Sequence, residues 1–205
     1  SFHTISCKGR GPDLPSLGQA PISGAIADRG GVKQAEAIMS LSAQFIETDD
    51  LDPIDMVENL AEYNDWEFDR VAEDQIAMAV KGRWRSYSLT LAWAPCDETL
   101  RLIATFEMEP PAHRLPALYE VLSEANDSCW LGAFTYWAEP KLMVYRYALT
   151  LTGGQIATAQ QIDRMIDAAV RNSERFYPAF QLVCWGDRTP SDAMQVAIAE
   201  AYGTA

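Results

Sequence analysis

Two period-two runs set a short turn apart constrain this chain most. Tyr87, Leu89, Leu91 and Trp93 alternate with Ser86, Ser88, Thr90 and Ala92. Leu100, Leu102, Ala104, Phe106 and Met108 then share one face, with Arg101, Thr105 and Glu107 on the other. Such alternation is the pattern of a strand with one buried face. The link from Ala94 to Glu98 carries Pro95 and Asp97 and is too short for a parallel crossover, so these strands must run antiparallel. Two further runs come before them, Trp66 to Val71 and Gln75 to Val80, separated by Ala72-Glu73-Asp74. Lys81-Gly82 makes the turn into the third run, which opens at Arg83-Trp84. Together they form a four-stranded meander.

A meander with one apolar face needs a cover, and the chain supplies one near its C-terminal end. From Ile162, the residues Met165, Ile166, Ala169, Val170, Phe176, Tyr177 and Phe180 follow the spacing of one helix face. Thr158 with Gln161 predicts a capping box at its start. Pro178 predicts a kink or break near Tyr177, which leaves Phe180 to Trp185 as a separate short helix. Elsewhere, Asp52-Pro53 predicts a helix start ahead of Ile54, Val57, Leu60 and Ala61. Leu115, Leu118, Tyr119, Leu122 and Ala125 mark another helix. Trp130 to Ala138 and Leu142 to Thr152 read as two more strands, and Thr189-Pro190 opens a last helix through Ala201. The order α-ββββ-α-ββ-α-α is that of an α+β fold with an antiparallel sheet of about six strands, not a doubly wound one. Residues 1–50 lack this periodicity and read as an N-terminal arm, loose or partly helical over Val32 to Ser42. Residues 51–205 read as a single domain.

The 205 residues carry a formal net charge of -13, which repels phosphate backbones and sets nucleic acid aside as a partner. No run of apolar residues is long enough to span a membrane. Cys7, Cys96, Cys129 and Cys184 are scattered without metal-ligand spacing, and His3 and His113 are the two histidines. Free thiols in a reducing cytoplasm fit this pattern, so a cytoplasmic location is expected. Phosphate-loop, hydrolase-elbow and zinc-protease motifs are absent from the sequence. His113, after Pro110-Pro111, reads as a surface residue, and Glu58 with Glu62 and Asp163 with Asp167 read as solvated helix faces. No catalytic residue, metal or cofactor is expected. Six Trp are generous for this length, and a sheet covered on one side leaves its other face for a partner. The candidate partner or ligand surface is Trp137, Tyr145, Arg146, Tyr147 and Arg175. Arg146 and Arg175 would each pair with a carboxylate or an aromatic face to fix helix on sheet, or clamp a ligand carboxylate in a pocket between the long helix and the sheet.

Four motifs carry a family resemblance. They are R-W-x-x-Y-x-L-x-L-x-W from Arg83, N-x-x-x-W-x-G-x-F-x-Y-W from Asn126, Y-R-x-A-L from Tyr145 and E-R-F-Y-P-A-F-Q-x-V-x-W-G from Glu174. Over residues 52 to 203 the chain resembles the YbjN-domain proteins of α-proteobacteria, the last motif being the most specific. The resemblance implies a fold like the type III secretion chaperones, which commonly dimerise, and a role in sensory transduction regulation without an established reaction. A non-enzymatic protein-binding module, regulatory or chaperone-like and homodimeric, is the function expected. The alternative is a small-molecule sensor or enzyme using the helix–sheet pocket.

Overall fold

The structure is a computed structural model that describes residues 52–203, with side chains through Ile198. The arm over 1–50 and the helix read within it lie outside the described residues. A short helix α1 (Pro53–Tyr63) begins where Asp52 accepts a hydrogen bond from the Ile54 N–H at 2.8 Å. Strands β1 (Glu67–Ala72), β2 (Gln75–Lys81), β3 (Ser86–Ala94) and β4 (Thr99–Glu107) follow. After one 3-10 turn (Ala112–Arg114) come α2 (Leu115–Asp127), β5 (Ala133–Trp137), β6 (Leu142–Thr150), α3 (Ala159–Trp185) and α4 (Pro190–Gly203). The protein is α+β, in the element order read from the sequence.

The six strands form one antiparallel sheet in the order β1-β2-β3-β4-β6-β5. One face is covered by the helices. Ile76, Leu89, Leu102, Ala104, Met143 and Tyr145 point into that layer and are fully or nearly fully buried. Helix α3 presents Ile162, Met165, Ile166, Ala169, Phe176, Ala179, Phe180 and Val183 to them, all buried. Helix α1 packs beside α3 over β1 to β3, and α2 and α4 pack along its other flank. The predicted capping box is present: Thr158 Oγ1 accepts from Gln161 N at 3.2 Å, and Gln161 Oε1 accepts from Thr158 N at 2.9 Å. At the far end Arg114 donates through Nε to the Val183 carbonyl at 2.8 Å, placing a cation where the helix dipole is negative.

Three local expectations are corrected. Pro178 does not divide the long helix, which runs unbroken from Ala159 to Trp185. A proline removes one N–H and crowds the carbonyl four residues back, a loss confined to one turn. Here the flanking residues Phe176, Ala179, Phe180, Val183 and Cys184 are all buried, and that packing outweighs the local cost. Trp130 is not part of a strand; β5 starts at Ala133, after a loop closed by Gly132 in the left-handed region (φ +70°). Strand β6 stops at Thr150, two residues short of the predicted end.

The sheet and α3 are locked where two of the sequence motifs meet. Glu174 accepts hydrogen bonds from Arg83 N at 2.9 Å, from Trp84 N at 3.4 Å and from the Tyr87 hydroxyl at 2.6 Å. A helix carboxylate thus satisfies the turn between β2 and β3. Gly82 is required there, because a Cβ would fall on the Glu174 carboxylate and the Tyr87 ring. Arg85 lies across Phe106 and Tyr177, 5.6 and 5.9 Å from their centroids, and donates to the Glu107 carbonyl at 2.7 Å. At the other end of the contact, Phe134 meets Tyr145, Phe176 and Phe180 edge-on with centroids 5.0, 5.8 and 5.3 Å away. Replacing Phe176 by Ala empties the middle of this cluster. Chemical denaturation of Phe176→Ala is predicted to show a loss of about 3–5 kcal/mol; a loss below about 1 kcal/mol would mean the stripe does not carry the core.

Candidate functional site

The candidate site lies on the sheet face that the helices leave open, at the end formed by β4, β6 and β5. Strand register sets its floor. Ile103 of β4 pairs with Arg146 of β6, which pairs with Ala133 of β5. Arg101 pairs with Ala148 on the same face. Trp137 and the loop before β5 form the wall, and the result is an open groove of about 810 Å³. Trp130 stands at its rim and is 98% exposed, with Leu131 beside it also exposed. Its charged side chains are Arg101 and Arg146. Arg101 is tied to Asp97 of the preceding turn, whereas Arg146 makes no ion pair or hydrogen bond with any described residue.

The loop carrying Trp130 is held from several sides. Asn126 at the end of α2 donates through Nδ2 to the Phe134 carbonyl at 3.0 Å and accepts from Phe134 N at 2.7 Å. The Tyr145 hydroxyl donates to the Leu131 carbonyl and accepts from Asn172 Nδ2 of α3 at 2.9 Å. Gly132 could not be another residue: beyond its positive φ, a Cβ would sit 2.5 Å from the Tyr145 ring tip and 2.7 Å from the Arg146 carbonyl. The indole is therefore displayed by an anchored loop. The Asn126 amide also occupies the outward-facing groups of Phe134, which blunts the β5 edge against strand pairing.

The five residues expected to form one surface divide between the two sides of the sheet. Trp137, Arg146 and Tyr147 line the groove. Tyr145 is fully buried in the helix layer, and Tyr147, half-buried, also packs against the core while it borders the groove. Odd and even residues of a strand face opposite ways, so the buried Tyr145 side chain does not share a surface with Arg146. Arg175 lies on α3 with its guanidinium 4.9 Å from the Phe176 ring. The contact between α3 and the sheet is filled by Phe134, Tyr145, Phe176 and Phe180, so the expected pocket joining Arg146, Tyr145 and Arg175 does not form. Nor does Arg146 fix the helix on the sheet, since it points away from it. Sequence reading left Trp130 and Arg101 out of the candidate surface, although it placed Arg101 on the polar face of its strand. The signal available was the Gly two residues after Trp130, which marks a turn where a strand was read.

The titratable groups around the core are shielded rather than activated. Burial pushes the thiols of Cys129 and Cys184 up to about 11, against the opposing pull of Arg175 and Arg114 respectively. Burial likewise raises the Tyr145 phenol to about 12, and it raises Tyr87, whose hydroxyl also donates to Glu174. A thiol held neutral is a poor nucleophile. His113 is exposed in the 3-10 turn. Among the described residues no cluster of three or more His, Cys, Asp or Glu could hold a metal, and no helix is long and apolar enough to cross a membrane.

A family model, YbjN, described as "Putative bacterial sensory transduction regulator", matches residues 53–182, more than half of the chain. The chain belongs to the YbjN family. The match runs from α1 to the last turn of α3 and so takes in the whole sheet, the Glu174 contact and the groove. No curated protein matches the sequence. Among solved structures, that of YbjN from E. coli is similar at 12% identity, with a TM-score of 0.44 over 73% of this chain and 93% of the other.

The raised thiol and phenol values carry a sign. Below the ordinary values of 9.0 for Cys and 10.0 for Tyr these groups are neutral whether the chain is folded or not, and their contribution to stability is fully present. Above them the unfolded chain ionises first, so stability falls as pH rises toward about 11 and 12. The denaturant midpoint is predicted to be lower at about pH 10.5 than at about pH 8, with Cys184→Ala reducing the difference. An unchanged midpoint would show that these groups are solvated.

Proposed function

We propose that this YbjN-family protein is a non-enzymatic protein-binding module with a regulatory role, which grips its partner through the groove on the open face of the sheet. The presentation of Trp130 carries this reading. An indole 98% exposed on an anchored loop is ready to bury large apolar area at little entropic cost, and Trp is the residue type most enriched at binding hot spots. The shielded thiols and the filled helix–sheet contact favour binding over catalysis. The family description supports regulation; a chaperone-like action on partners is the variant of the same reading.

A homodimer remains part of the proposal. The Asn126 seal at β5 and the register irregularity between Arg70 and Ala72 of β1 disfavour strand pairing at either sheet edge. A second copy would then meet a face or the helical layer. The test is affinity capture from the native host with the full chain and with Trp130→Ala, beside sedimentation of each. Wild type is expected to retain a partner protein that Trp130→Ala loses while keeping its fold by circular dichroism. A strict monomer that retains nothing, or retention indifferent to Trp130, would overturn the reading.

A further inference from the structure

We infer that the groove takes an extended acidic peptide segment of a partner protein, with carboxylates on alternate residues and one large apolar side chain. This rests on the protein-binding reading above and names the chemistry of the partner.

Three observations converge on it. The first is charge. The chain carries a net charge of -13, yet the charged side chains lining the groove are both arginines. Arg146 has no counter-ion among the described residues, so an incoming carboxylate would satisfy it without breaking an existing pair. The second is spacing. Arg101 sits opposite Ala148, and Arg146 opposite Ile103, so the two arginines are diagonal cross-strand neighbours. Diagonal neighbours stand about 7–8 Å apart. Alternate residues of an extended peptide project to the same side about 6.5–7 Å apart, which matches two carboxylates to two guanidinium groups. The third is the apolar rim. Trp130 and Trp137 flank the arginines, and Ile103 and Ala133 form an uncharged floor. An aliphatic or aromatic side chain on the next alternate residue, on the same side of the peptide as the carboxylates, would bury against the indole.

The same features discriminate against other occupants. A second copy docking the same groove face-to-face would bring Arg101 and Arg146 against their own counterparts, a like-charge contact at the centre of a symmetric interface. A nucleic acid extends beyond the groove and would carry its phosphates across the acidic remainder of the chain. A peptide carboxylate needs contact with the groove alone.

The experiment is fluorescence anisotropy of a fluorescein-labelled short peptide carrying Glu, Glu and Leu at successive alternate positions with Ser between them, against the full chain. Controls are the same peptide with Lys for Glu, and an unlabelled single-stranded oligonucleotide as competitor. The acidic peptide is expected to bind and the lysine peptide not. Trp130→Ala and Arg146→Glu are each expected to weaken binding about tenfold or more. Tyr63→Ser, an exposed position on the helical side, is expected to leave it unchanged. Raising salt is expected to weaken the interaction, since both arginines are exposed. Arg146→Gln, which keeps a polar side chain on the strand, guards against a charge reversal that merely disturbs the sheet.

Binding of neither peptide, equal binding of both, or indifference to Arg146 would overturn the inference. So would displacement by the oligonucleotide, or a dimer abolished by Trp130→Ala that the acidic peptide does not compete. If host capture still depends on Trp130 while the acidic peptide does not bind, the groove remains a partner site and the acidic assignment alone falls. If Trp130 matters to neither, both fall.

Discussion

The Tyr145 hydroxyl joins the three parts of the molecule on which any binding role rests. It lies on β6, inside the helical layer, and it is fully buried. A buried phenol must find partners, and this one finds two. It donates to the Leu131 carbonyl in the loop before β5 and accepts from Asn172 on α3. Its ring supports Phe134 on one side and fills the space that Gly132 leaves on the other. The core of the fold thereby fixes the position of a loop on its surface. A loop held in this way can keep Trp130 in solvent without letting it fold back, and rigid display is what an aromatic anchor needs.

Helix α3 works as a strut between two contacts of different chemistry. At Glu174 one carboxylate gathers two backbone amides and the Tyr87 hydroxyl, so the β2–β3 turn is fixed by charge-assisted hydrogen bonds. At Phe176 and Phe180 the contact is aromatic and dry. Their spacing along the helix explains why charged and aromatic residues crowd into one short stretch. The Glu174 motif and the Arg83 motif are two halves of one contact, and the Asn126 motif and Tyr145 are two halves of another. The residues that carry the resemblance are chiefly those that hold the helix to the sheet.

Much of this was legible beforehand. Period-two runs with short links dictated the antiparallel meander, and the caps at Asp52 and Thr158 located two helix starts. Other features were hidden for physical reasons. Alternation along β6 separates two faces without naming the buried one, because Tyr145 and Tyr147 suit solvent or core equally well by composition. The buried side was decided by register, Ala104 of β4 standing opposite Tyr145. Pro178 read as a breaker on local energetics, and tertiary packing overrode it. Trp130 read as strand because aromatic residues favour strands, whereas Gly132 and the Asn126 amide, both set by tertiary contacts, hold the start of the strand back to Ala133. The groove itself assembles residues far apart in sequence, which no local pattern reports.

Removing the Tyr145 oxygen while keeping its ring separates the latch from the core. Hydrogen exchange by mass spectrometry on Tyr145→Phe would read the amides of residues 128–134 against those of β3 and β4. If the buried hydroxyl orders the groove rim, exchange in 128–134 speeds up while the strands stay protected. If exchange there matches the wild type, the loop is held by other contacts, and Tyr145 does not couple the core to the groove.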